Sequence, residues 1–240
     1  MAGFEPTWLA ALQLPQTLLL IVACFLLGEI ALSPASPGAN SNASGVAAVL
    51  EVVRRLGAEP PVHLRVEVAI LGGGETTMQG MWAWVREHRA MLDRSRTWFI
   101  SLESVGRGDP RYVLSQGPAV SLPMDPELAG ICEALSGGDG HSAEPMRDGG
   151  TSAAFVARTC GYRALPITCI EPGRGLPEHR HTPSDVPETI DPGAIERASS
   201  LTVDLIRLLD RELGRSAPAP SVGPKHGLEA GARRPSGVST

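Results

Sequence analysis

Two glutamates and two histidines stand where a chain of this pattern would do chemistry. Glu75 follows the apolar run "VEVAIL" through three glycines, and Glu103 ends "FISLES". His179 and His181 lie in "LPEHRHTPSDVPETIDP", just after "ALPITCIE". In open α/β sheets ligands collect beyond the carboxyl ends of the strands, and all three stretches fall there. A fourth polar loop, Asn40-Ser41-Asn42, leads into a helical pattern. Carboxylates with imidazole and no thiolate make a donor set that suits zinc. Each residue also has a plainer reading: Glu75 as a solvated loop acid, Glu103 as a helix or turn partner, His181 as a contact for the helix that follows. Spacing alone does not choose between them.

The elements that must position these residues alternate along the chain. Val46, Val49, Leu50 and Val53 mark one face of a helix over 43–56. "HLRVEVAIL" (63–71) alternates and then turns wholly apolar, which predicts a strand entering a sheet interior. A helix is expected over 78–92, strands at "TWFISLES" and "RYVLSQ", helices over 126–135 and 153–159, and a strand at "ALPITCIE". The last helix begins at Asp191 as N-cap with Pro192 in first position, and Ile195, Ala198, Leu201, Leu205, Leu208 and Leu209 form its apolar stripe. This alternation predicts a three-layer α/β/α sandwich on a largely parallel mixed sheet. Residues 214–240, rich in Pro, Gly, Ser and Ala, are expected to be a disordered tail, which leaves 33–213 as the folded domain.

Composition narrows the function classes. The net charge is −5, and the arginines are scattered rather than clustered, so a nucleic-acid partner is not expected. Cys24, Cys132, Cys160 and Cys169 fit neither a disulfide framework nor a CxxC zinc site, and Cys160 and Cys169 read as free thiols unless the compartment is oxidising. Residues 1–32 form an N-terminal hydrophobic segment. Its run from Trp8 to Leu32 reaches the ~20 residues of a membrane span only by including Gln13, Pro15 and Gln16. A membrane helix over 8–32 is the preferred reading, ahead of a buried helix or a signal segment. With no Lys or Arg before Arg54, neither the basic start of a signal peptide nor a cue to orientation is present.

Four stretches, "GANSNASG", "GGETTMQG", "SLESVG" and "HTPSD", occur in that order between Pro37 and Leu213. Together they resemble the co-catalytic zinc exopeptidases of the bacterial leucyl aminopeptidase type, which include glutamate carboxypeptidase-like peptidases. The resemblance implies a zinc cofactor, a peptide or small aminoacyl substrate, and removal of an N-terminal residue. It also implies that Glu75, Glu103 and His181 are candidate metal ligands.

The departures from that pattern weigh as much as the matches. Ser41 stands where the family has the acid that bridges two zinc ions. Two cations ~3.5–4 Å apart need an anion between them, and a hydroxyl does not supply one. Gly74 stands at the general-base position and has no group to accept a proton, so no catalytic residue is assigned. Ser152 matches a further aspartate near the substrate in many relatives. The leading His-x-Asp has no counterpart, since residues 1–40 contain neither His nor Asp. The resemblance is therefore to a degenerate or N-terminally truncated member, whose metal site is short of ligands unless His179 or His141 substitutes. The expected activity is weak or absent, and the competing expectation is a non-catalytic binding module with the same fold. A dinucleotide turn at Gly72-Gly73-Gly74 lacks the third glycine of its fingerprint, and Ser44 lacks the G-x-S-x-G of a serine hydrolase.

Overall fold

The computed structural model describes residues 7–137 and 140–216. Its helices are α1 (Thr7–Leu32), α2 (Ser44–Ala58), α3 (Gln79–His88), α4 (Pro126–Ser136), α5 (Ala153–Thr159) and α6 (Pro192–Ser216). The strands are β1 (Trp98–Leu102), β2 (Asp109–Gln116), β3 (Leu122–Pro123), β4 (Glu144–Asp148) and β5 (Arg163–Ile170). β1 lies at one edge of the sheet and pairs with β5, which pairs with β2, while β3 and β4 both pair with β2. The β1–β5 and β2–β4 ladders are parallel, and the β2–β5 and β2–β3 ladders antiparallel.

Alternation along the central strands divides the core into two. Leu165, Ile167 and Cys169 of β5 face α2, α4 and α6, where Val52, Leu128, Leu201 and Leu205 are buried. Ala164, with Phe99 of β1, faces α3 and α5 across Met81, Val85 and Val156. Helices thus cover both faces of a mixed sheet, as the sequence pattern leads one to expect. α6 carries the longest apolar stripe and packs along α2, and Asp191 accepts from the Gly193 amide at its start. All four cysteines are free. Burial pushes the Cys132 and Cys169 thiols up to about 12.

The segment 63–71 departs from expectation. It is not a strand: its residues join no ladder among the described residues, and Val66, Val68 and Ile70 are exposed. Its beginning is nonetheless fixed, because the Asp210 carboxylate of α6 accepts from the amides of Val62, His63 and Leu64 at 3.1, 2.7 and 2.9 Å. Burial works against that charge, yet the three amides hold the Asp210 carboxyl below its ordinary range. β4 is an element that periodicity missed. Its "EPMRD" is polar and carries a proline, a composition that only an edge strand tolerates. The expected tail from 217 onward lies outside the described residues, and α6 itself runs on to Ser216.

Gly45 sets how closely α2 approaches β1. A Cβ there would sit 2.2 Å from the Leu102 carbonyl oxygen, a backbone atom that cannot swing aside. Gly45→Ala should therefore destabilise the protein by about 1–3 kcal/mol despite alanine's better helix propensity. Calorimetry should show a thermal midpoint lower by roughly 3–10 °C.

Candidate functional site

The Asn40-Ser41-Asn42 loop is a single wide helical turn, Ala39–Ala43, that runs straight into α2. No side chain caps α2, so Asn40, Asn42 and Ser44 do not act as the caps their types suggest. They join other segments instead. Asn40 Oδ1 accepts from the Gly106 amide at 2.8 Å, while its Nδ2 donates to the Glu178 carbonyl at 3.3 Å. Ser44 Oγ donates to the Asn40 carbonyl and accepts from the Val105 amide at 3.0 Å.

The free amides at the start of the turn are met by Asp185, a fully buried residue. Asp185 Oδ1 accepts from the Asn40 amide at 2.5 Å, and Oδ2 accepts from the Ser41 amide at 3.1 Å and the Ser41 hydroxyl at 2.7 Å. Burial raises the pKa of such a group, but these three donors, with His179 nearby, hold the Asp185 carboxyl below its ordinary range. Sequence reasoning gave Asp185 no role. Its signal was its place as the last residue of the "HTPSD" match.

Glu75 sits in a tight turn before α3, where Thr77 and Met78 both take left-handed backbone angles. Gly80 allows the turn to close, since a Cβ there would lie 2.1 Å from the Gly72 carbonyl oxygen. Glu75 Oε2 meets His181 Nδ1 at 3.1 Å, and the two side chains are 71% and 53% exposed. An ion pair this open to water contributes little stability. Glu103 takes a different role: its Oε1 accepts from the Ala153 amide at 2.9 Å, at the first turn of α5. Burial pushes the Glu103 carboxyl up, against that amide and the Arg180 charge, and the negative charges of Glu75 and Asp148 add to the rise. Beside it Ser152 caps α5 and donates to Gln116 Oε1 at 2.6 Å, and Gln116 in turn donates to Asp148 at 2.7 Å.

Ser41, Glu75, Glu103 and His181 all border one groove, but only Glu75 and His181 touch. His179 turns away, with Nδ1 2.9 Å from the Ser184 hydroxyl. Residues 178–181 form turns rather than an extended run, and His179 and His181 both have positive φ, so they do not share a face. His141 Nε2 lies 2.9 Å from Asp204 Oδ2 of α6, away from the groove. Gly74 has room for a side chain, its nearest neighbour being Met78 Sδ at 3.9 Å.

A family model for peptidase family M28 matches residues 27–206. The chain belongs to that family. No curated protein sequence matches it. Among solved structures it is similar to a zinc aminopeptidase from Bacillus subtilis, with 20% identity, a TM-score of 0.56, and coverage of 74% of this chain and 43% of that one. It is also similar to the LapA aminopeptidase of Legionella pneumophila, with 17% identity, a TM-score of 0.59, and coverage of 74% and 49%. A peptidase M28 precursor from Shewanella amazonensis gives 18% identity, a TM-score of 0.53, and coverage of 74% and 38%. The M28 chain thus spans less than half the length of these relatives.

Family membership implies zinc as the cofactor. A protein-bound zinc site holds three or four protein ligands. Among the described residues, no three His, Cys, Asp or Glu side chains converge closely enough to hold a metal. As arranged, then, the side chains do not fit a closed zinc site.

Asp185→Asn should cost about 2–4 kcal/mol at neutral pH, because two amides and a hydroxyl lose a charged acceptor. Since folding lowers the Asp185 pKa, its contribution is present above the unfolded value near ~3.9 and disappears as pH falls through the folded value. Urea titrations should show the gap between variant and parent narrowing as the pH drops through that window.

Proposed function

We propose that this M28 chain is a zinc-exopeptidase-type domain, anchored to a membrane by α1, whose metal site is too short of ligands to support more than weak turnover. The inherited reaction is removal of an N-terminal residue from a peptide. Zinc, when bound, would polarise the scissile carbonyl. Glu75 and His181, 3.1 Å apart, are the residues that would hold one metal, with Glu103 bordering the same groove. The observation that carries the reading is the hold of Asp185 on Ser41. The position that bridges two metals in the family pattern carries a neutral hydroxyl, and that hydroxyl already donates to a buried carboxylate.

The anchor rests on α1 alone. Its 26 residues give about 39 Å of helix, and its apolar side chains over 12–32 are exposed on every side. The folded domain is read as 33–213. The alternative is that the same fold serves as a non-catalytic binding module, and Gly74 favours it, because no general base stands at that position.

The full chain, purified in detergent and dialysed after incubation with zinc, should hold well under one zinc per chain and should not hydrolyse a panel of aminoacyl anilides above background. Near-stoichiometric zinc with clear turnover would overturn the impaired-site reading. Ser41→Asp with Gly74→Glu should not restore activity. The new aspartate would face Asp185 across a hydrogen-bond distance, and the like charges should lower stability measurably in urea at neutral pH.

A further inference from the structure

We propose that the groove bordered by residues 64–71 and β1 is a docking site for one extended, predominantly apolar strand supplied by a polypeptide segment outside these 240 residues. The strand would hydrogen-bond to both sides at once.

Two unsatisfied edges border the same groove. β1 is the terminal strand of the sheet and among the described residues pairs only with β5, so its outer amides and carbonyls have no strand partner. Residues 65–71, also along the groove, make no backbone–backbone hydrogen bond among the described residues. The sequence of that segment has a strong strand character, yet Val66, Val68 and Ile70 are 39%, 43% and 58% exposed. Two such edges left bare would be a standing invitation to aggregation.

Both segments border one groove of about 1920 Å³, which also runs along α2 and α6. An eight-residue strand within a sheet fills roughly 1,300 Å³, given a ~4.8 Å spacing between strands, a ~3.3 Å rise and a ~10 Å sheet thickness. The groove therefore has room for a strand. The groove also offers a polar contact. Ser101 on β1 is only 9% exposed and borders the groove, and its hydroxyl has no hydrogen-bond partner. A buried hydroxyl in that state calls for a donor or acceptor from an incoming chain.

The segment 64–71 cannot close the gap by itself, because both its ends are pinned. Asp210 holds the amides of Val62, His63 and Leu64 on α6. At the other end Leu71 packs with the α3–α5 core, and the Gly72 carbonyl is pressed against Gly80. A second copy could offer its free β1 edge to one side only, because its β1 is held on the other side by β5, and its own 64–71 is pinned in the same way.

The side chains required follow from the position. A strand inserted here would have helices over both faces, so residues pointing either way must be apolar, with a polar exception opposite Ser101. Its end at the rim of the groove would lie beside Glu75 and Glu103, the residues that terminate the two flanking segments.

Amide hydrogen exchange on the full chain in detergent tests this without reference to hydrolysis. The probe is an acetylated, amidated Val/Ile peptide about eight residues long with one central Thr and lysines at its ends. In the free protein, amides 65–70 should exchange almost unprotected while those of β5 are slow. Adding the peptide should slow exchange at 65–70 and at the outer amides of 98–102 at least tenfold, saturating at one peptide per chain. The same peptide N-methylated at alternate residues should leave exchange unchanged. The proposal is overturned if 65–70 are already protected in the free monomer, if their protection rises with protein concentration as in a dimer, or if millimolar peptide protects neither edge.

Discussion

A carboxylate buried among backbone amides is expensive to remove and specific in what it accepts, and Asp185 occupies that position here. It receives two amides and a hydroxyl from a turn more than 140 residues earlier in the chain. Asn40 and Ser44 extend the same network to the amides of Gly106 and Val105, at the loop after β1. Three segments distant in sequence are thereby fixed to one another. Ser41 belongs to this frame through its hydroxyl as well as its amide, whereas the Glu75–His181 pair stands outside it.

The groove residues border one space yet, among the described residues, do not converge. Glu75 hangs from a strained turn and meets the solvent-exposed His181 across the groove. Glu103 is turned toward the α5 amides, where a negative charge at a helix start is favourable. His179 is occupied by Ser184. Glu103 and His179 have thus found local partners, while Glu75 and His181 meet each other in the open.

Most of the architecture is legible in the sequence because it rests on periodicity. α4, α5 and α6 and the strands β1, β2 and β5 carry apolar spacings that only their own geometry satisfies. The failures have physical causes. Residues 63–71 have the composition of an inner strand, but pairing is a property of what lies alongside, and nothing local reports that. β4 is invisible because an edge strand needs no apolar face. The roles of Asn40, Ser44 and Asp185 depend on contacts across the whole chain, whereas their types point only to helix caps. Glu75, Glu103 and His181 could be chosen from motif order, but how each is engaged could not.

Cys132 and Cys169 lead somewhere different. Burial holds both sulfurs in the protonated form, out of reach of alkylating reagents, one on α4 and one on β5 at the centre of the sheet. Cys160 is half-exposed at the end of α5, and Cys24 is exposed on α1. A thiol reagent would thus label the chain in two stages. The fast stage counts accessible sulfurs, and the slow stage runs at the rate at which the sheet itself comes apart.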